Sequence, residues 1–326
     1  MAAKFSATTT GDQVTEQFSA ECKGKTVIVT GGNVGLGLET ARCLADHGAI
    51  VVLCSRSAAN GQAAVDKIKL AHPESQVSFL QLDLGSLKSI QQFVNEFGAL
   101  HQRLDILINN AGIMACPKTL TTDGFEAQFG VNHLGHFQLT TLLMPLLLKS
   151  GSQTCPARIV NLSSLLHIMA HPTGIDFDDL EGKSYNPWHR YGNSKLANII
   201  FTNELHHRFN AQHITSVSVH PGVIGDTNLQ HSVTAYGMLQ MAWSILGQVI
   251  RGNRKMLADE GKKTIAQGVS TTLVAALDPN VVHGGYYYDC GFCDGRKVHP
   301  LYADAEQGAK LWKVSEDLIS QALQKA

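Results

Sequence analysis

Short runs of apolar and β-branched residues recur along the chain: TVIVT (26–30), IVVLC (50–54), VSFLQL (77–82), DILIN (105–109), RIVNL (158–162) and TSVSVH (215–220). Segments of helical period lie between them, and strands alternating with helices predict an α/β fold. The runs at 26, 50 and 105 are almost continuously apolar. A strand needs that pattern when helices cover both of its faces, so the sheet is expected to be mainly parallel and doubly wound, with helices on both sides. No internal repeat or Pro/Gly/Ser linker interrupts the alternation, which predicts one domain over 24–326 preceded by a loose tail over 1–23.

Two segments fit the alternation poorly. Residues 167–190 hold two prolines and clustered acids without a period, and residues 225–263 hold the apolar run GMLQMAWSILGQVI followed by the basic RGNRK. Both read as insertions over one end of the sheet. For the second, three readings stay open: an amphipathic helix packed on the core, a mobile substrate lid, and a peripheral membrane-touching surface.

Composition narrows the class. Hydrophobic residues make up 44% of the 326 positions and charged residues 16%, enough apolar side chain for a sizeable core. With 26 Lys+Arg against 27 Asp+Glu there is no excess charge to attract nucleic acid. The seven cysteines are odd in number and scattered, which favours reduced thiols. Cys290 and Cys293 form a C-x-x-C without a second pair or a histidine at ligand spacing, so no metal site is expected. The first 23 residues lack a signal-peptide core, and the run LTTLLMPLLL (139–148) is short for a bilayer span and contains a proline. A cytoplasmic or otherwise intracellular soluble chain is the expectation.

The chemistry begins after the first strand, at TGGNVGLGLETARCLADHGA. Gly31, Gly35 and Gly37, with Asn33 and Leu36 between them, form a turn that lets backbone approach a pyrophosphate at a helix N-terminus, a Rossmann-type cradle. The spacing is G-x-x-x-G-x-G rather than G-x-G-x-x-G. At the end of the second strand stand Ser55 and Arg56, with no carboxylate. An acid there would accept from a ribose 2′-OH, whereas an arginine grips a 2′-phosphate, so NADP(H) is favoured over NAD(H). After the third strand, Asp83 and Leu84 are placed beside the adenine; the alternative for Asp83 is a helix N-terminal carboxylate next to Ser86.

Tyr191 and Lys195 in YGNSK lie four apart, on one face of a helix, where an ammonium favours ionisation of a phenol. INNAG (108–112), VNHLGHF (131–137), NLSSLLH (161–167) and HPGVI (220–224) sit at or beyond the carboxyl ends of predicted strands, where open α/β sheets bind ligands. In this order, with the glycine turn, the motifs resemble the short-chain dehydrogenase/reductase family over most of the chain. The resemblance implies that Tyr191 exchanges a proton with the substrate oxygen. Lys195 would lower its pKa and hold the nicotinamide ribose, Asn132 would support a water-linked proton relay, and Ser164 would hydrogen-bond the reacting carbonyl, with Ser163 as the neighbouring alternative. Asn109, Asn110, Ala111 and Gly112 would line the cofactor, and Pro221, Gly222, Val223 and Ile224 would approach the nicotinamide amide. Thr227 stands one residue later than the family's PG-x-x-x-T spacing.

The stretch SSLLH…YGNSKLANIIFTNEL and the C-terminal GGYYYDCGFCDGRKVHPLYADAEQGAKLW resemble the retinol dehydrogenase and WW-domain oxidoreductase branch, without WW domains. The expected function is hydride transfer between NADP(H) and a carbonyl/alcohol group of a small lipophilic substrate, in a homodimer or homotetramer. The alternative is a non-catalytic NADP(H)-binding regulator or scaffold.

Overall fold

The computed structural model describes residues 5–225, 261–293 and 298–325. Thr227 and nearly all of the 225–263 insertion, including Met238, Met241, Trp243 and Ile245, lie outside the described residues. Ten strands occur among the described residues: β1 (Thr26–Thr30), β2 (Ile50–Ser55), β3 (Val77–Gln81), β4 (Ile106–Asn109), β5 (Ala157–Leu162), β6 (Ile214–His220), β7 (Val223–Ile224), β8 (Lys262–Lys263), β9 (Tyr286–Tyr288) and β10 (Gly291–Phe292). Eight form one sheet in the order β10-β9-β6-β5-β4-β1-β2-β3, parallel except for the β9–β10 hairpin, while β7 and β8 form a separate short pair. The strand order reverses between β1 and β4, which opens a crevice at their carboxyl ends.

The two-residue period of each strand builds the core. Ile28, Val52, Leu107 and Ile159 face a cluster on one side, with residues of α5 (Leu87–Leu100), α6 (Ala127–Phe129), α7 (Gly135–Ser150), α8 (Pro187–Phe209) and the last helix, Ala305–Lys325. Val27, Val29, Val51, Ile108 and Val160 face the other side, with α3 (Gly35–Asp46), α4 (Ala58–Ala71) and the helix Ser270–Leu277. Cys290 joins this second cluster and Cys293 a separate one, so the two thiols of the C-x-x-C face different surroundings.

The N-terminal segment departs from expectation. In place of a loose tail, residues 11–22 form two short helices, α1 (Gly11–Gln17) and α2 (Ser19–Cys22), the first opened by a capping box at Thr10. Val14 and Cys22 are wholly buried in the second cluster, beside Val269 and Leu273. Two apolar residues in a polar stretch carry no visible period, yet they suffice to close the end of the sheet's second layer.

Val14→Ala should therefore destabilise the fold by about 2 kcal/mol through the cavity it leaves. A lower urea midpoint at an unchanged m-value would show this; an unchanged midpoint would mean that the segment is not part of the core.

Candidate active site

β1 ends at Thr30, and the chain turns through Gly31 (φ 64°) and Gly35 (φ 58°) into α3. A side chain at position 37 would bring its Cβ to 2.2 Å from the Gly31 carbonyl oxygen and 2.5 Å from Asn110 Nδ2. Only glycine lets the helix start so close to the loop after β4. The outcome is a backbone cradle with the first amides of α3 unpaired within the helix, as a pyrophosphate requires. Gly31, Asn33, Gly35 and Leu36 are partly exposed along it, and Gly37 is buried behind them.

The neighbouring strand ends divide into open and closed positions. Arg56 is exposed and its guanidinium takes part in none of the described ion pairs, while its carbonyl accepts from Gln81 Nε2 at 2.9 Å. Asp83 is partly exposed and accepts from the Gly85 amide at 2.9 Å; the cap of α5 is Ser86, not Asp83. Leu84 is buried beneath the start of α7. Asn109 is also buried, its amide donating to Thr140 Oγ1 at 3.0 Å and Asn161 Oδ1 at 2.8 Å, so its side chain pins strand ends together and does not open to the crevice. Asn110, Ala111 and Gly112 are partly exposed, as are Pro221 and Gly222; Val223 is exposed and Ile224 buried.

At β5 the strand period separates the two serines. Ser163 points into the fold and donates to the Lys195 carbonyl at 2.7 Å, while Ser164 is half-buried, accepts from the Leu166 amide at 3.2 Å and lies near enough to Tyr191 to act on its phenol. Tyr191 is 3% exposed and Lys195 4%. The Lys195 ammonium donates to the Leu162 carbonyl at 3.0 Å and lies 5.7 Å from the centre of the Tyr191 ring. Burial dominates both groups. It pushes the phenol up to about 12, against the opposing effect of Ser164, and brings the ammonium down to about 8. The lowering of the phenol by the cation, expected from the spacing, is not found here: burial raises the phenol and Ser164 is what opposes it.

Asn132 sits in a π-helical turn, Gly130–Leu134, ahead of α7. Its side chain accepts from the Ile113 amide and donates to the Ile113 carbonyl, both at 2.9 Å, and donates to Ser194 Oγ at 3.0 Å. It thereby ties the loop after β4 to α8. A Cβ at Gly112 would lie 3.3 Å from Lys195 Nζ, so the loop, Asn132 and the ammonium converge on one point.

The three residues between Tyr191 and Lys195 do more than continue the helix. A Cβ at Gly192 would stand 2.8 Å from the Ala170 amide nitrogen and from the Leu166 carbonyl oxygen, so the 3₁₀ turn Leu165–Met169 packs directly on the α8 backbone. That contact brings Ser164 and Tyr191 together. Asn193 Oδ1 accepts from the Asp176 amide, and Ser194 donates to the Tyr191 carbonyl while accepting from Asn132. His167 also escaped a role in the sequence. Its Nδ1 donates to the Ser164 carbonyl at 2.6 Å and its Nε2 accepts from the His299 amide at 3.1 Å, anchoring the serine to the C-terminal segment. His133 and His136 are buried core residues with separate partners, Ser315 and Thr30.

The residues at this edge fit a nicotinamide dinucleotide: a glycine cradle for the diphosphate, an exposed arginine at the β2 end, and a phenol, a hydroxyl and an ammonium gathered beyond β5. The short chain dehydrogenase family model matches residues 25–177. Retinol dehydrogenase 12 of Mus musculus is 40% identical over 304 residues, covering 92% of this chain and 88% of that protein. Short-chain dehydrogenase TIC 32 A, chloroplastic, of Brassica napus is 36% identical over 321 residues, covering 97% and 94%. A solved structure of an uncharacterized protein from Mycobacterium paratuberculosis superposes with a TM-score of 0.68 at 32% identity, covering 93% of this chain and 97% of that one.

Gly192→Ala should cost more than an exposed helical glycine would gain, because the 3₁₀ turn must retreat. We expect activity to fall at least about tenfold, since misplacement by 1 Å at a reacting centre costs as much as about a hundredfold. Full activity would show that the contact does not position Ser164. Burial also lowers His133 to about 3, His136 to about 4 and His167 to about 3, from the ordinary 6.5. The unfolded chain takes up these protons as pH falls below 6.5 and the folded chain does not, so stability is complete above that pH and is lost toward 4 and 3. Each group then contributes a slope of up to about 1.4 kcal/mol per pH unit. Urea midpoints at pH 7.5 and pH 5 should differ accordingly; equal midpoints would contradict the burial of the three rings as neutral groups.

Proposed function

The chain belongs to the short chain dehydrogenase family, in its retinol dehydrogenase branch, and from that membership we propose that it transfers hydride between NADP(H) and a carbonyl/alcohol group of a lipophilic substrate. Membership makes it an NAD(P)-dependent oxidoreductase acting on CH–OH groups. The observation that carries the reading is the convergence of Ser164, Tyr191 and Lys195, with Asn132 behind them, on one point of the crevice.

The dinucleotide, when bound, supplies or accepts the hydride. The chain's own residues handle the proton and the charge. Tyr191 delivers its phenolic proton to the substrate oxygen in reduction and takes it back in oxidation. Ser164, on the same oxygen, donates a hydrogen bond that strengthens as negative charge develops there. A phenol held near 12 donates but resists staying ionised. Lys195, already desolvated, supplies the compensating positive charge and would hold the nicotinamide ribose. Asn132 fixes Ile113 and Ser194 around this pair and supports proton exchange through water.

Preference for NADP(H) is supported by Arg56 at the β2 end, exposed and without an ion pair among the described residues, and by a strand end, Ser55-Arg56, that carries no carboxylate. A lipophilic substrate is supported by the apolar group packed around Tyr191: Met114, Leu165, Ile168, Met169 and Trp188. Retinoids, steroids and other hydrophobic aldehydes or ketones are the classes to test.

Tyr191→Phe should lower turnover of such a carbonyl by at least about a hundredfold while NADPH still binds. Undiminished turnover would remove Tyr191 as the proton donor, and NADPH binding without turnover of any carbonyl by the wild type would favour a non-catalytic regulator. Arg56→Ala should weaken NADPH binding by about tenfold, in line with the loss of a charge-assisted contact, and leave NADH unaffected. An equal loss for both would show that Arg56 does not read the 2′-phosphate.

A further inference from the structure

His136 is 2% exposed, and its own ring has no assigned chemical step. Its hydrogen-bond surroundings nevertheless admit one arrangement. Thr30 Oγ1 receives the amide hydrogens of Asn110 and Ala111, each at 2.9 Å. The Asn110 hydrogen is shared with the Ile108 carbonyl at 3.0 Å; a hydroxyl that takes both amides has its own proton left for His136 Nε2 at 2.9 Å, with the Ile108 carbonyl at 3.4 Å as the more distant acceptor. A ring nitrogen that accepts is bare. The imidazole hydrogen is therefore on Nδ1, which faces the Asn132 carbonyl at 3.0 Å, a group able only to accept. Both ends of the ring require the same neutral tautomer.

We propose that His136 is a positioning residue which, as the Nδ1–H tautomer, links the Asn132 carbonyl through Thr30 to the loop after β4 and the start of the glycine turn. One ring thus spans three elements: the end of β1, the Asn110–Ala111 backbone, and the π turn that holds Asn132. The Asn110 side chain completes the frame by donating to the Thr30 carbonyl at 2.7 Å. A shift of the turn is passed to Asn132 along hydrogen bonds of fixed direction, with no mobile group between. Calling these surroundings cofactor cradle and catalytic asparagine rests on the proposed function; the hydrogen-bond frame does not.

The test has two arms. In the first, ¹⁵N NMR of the wild-type protein at neutral pH should show His136 neutral with its hydrogen on Nδ1; a hydrogen on Nε2 would overturn the proposal. In the second, His136→Asn retains a donor near the Asn132 carbonyl but cannot reach Thr30, whereas His136→Gln reaches Thr30 and loses the carbonyl. We expect the asparagine variant to weaken NADPH binding several-fold at near-normal kcat for a hydrophobic aldehyde. The glutamine variant should lower kcat by about 10- to 100-fold at near-normal NADPH affinity. His136→Phe should lose both. Equal losses in the asparagine and glutamine variants that track only their melting temperatures would overturn the proposal, as would a folded phenylalanine variant of wild-type kcat and affinity. A wild type that binds NADPH but reduces no carbonyl sinks the proposed function alone, because the tautomer and the contrast in NADPH affinity are read without turnover.

Discussion

The central strands must be covered on both faces, and the rest of the molecule follows from that requirement. Alternate side chains of β1, β2, β4 and β5 feed two apolar clusters, so an unpaired polar group on either face of the sheet is costly. In β1, β2 and β4 the polar residues stand only at the strand ends. Thr30, Asn109, Asn161 and Ser163 close those ends with hydrogen bonds, and Ser164, one position further on, is the first to face outward. The site is the place where the strand period runs out.

Much of this was legible in the chain itself. The six runs coincide with β1 to β6 to within a residue at their ends, because all but the partly exposed β3 are buried along nearly their whole length and short β-branched runs mark such strands. Four motifs at strand ends then pointed to one edge. Less visible were elements whose stability comes from distant partners: α1 and α2, whose buried Val14 and Cys22 have no periodic neighbours, and the hairpin β9–β10, which is short and takes its register from β6. Within the site, spacing indicated which side chains share a face but not how they are satisfied. Asn109 stood in a cofactor motif, yet its amide is spent on Thr140 and Asn161. No motif assigned a role to the side chains of His136 and His167, and only three dimensions show that each donates Nδ1–H to the carbonyl of a neighbour of the proposed chemistry.

The electrostatics of the edge are those of a dry site. Tyr191, Lys195, His136 and His167 are all buried, and in each the neutral form is favoured by loss of water. A low dielectric makes an isolated charge costly and a charge facing an opposite one effective. Hydrogen bonds to backbone carbonyls at Leu162, Asn132 and Ser164 hold the donors in place without adding net charge. At neutral pH the phenol and the two imidazoles stay uncharged, while Lys195, brought down only to about 8, remains the cation among them.

Tyr191 and Lys195 stand one turn apart on α8, in a stretch of that helix buried without interruption from Arg190 to Thr202. They move as one body. Any drift of the helix displaces phenol and ammonium together, so their separation is conserved while their aim at a substrate is not. Errors in the two positions are correlated, and neither can be retuned without the other. Adaptation to a new substrate therefore has to come from the facing parts, the loop around Met114 and the 3₁₀ turn that carries Leu165, whose side chains can be exchanged while the acid and its cation keep their mutual distance.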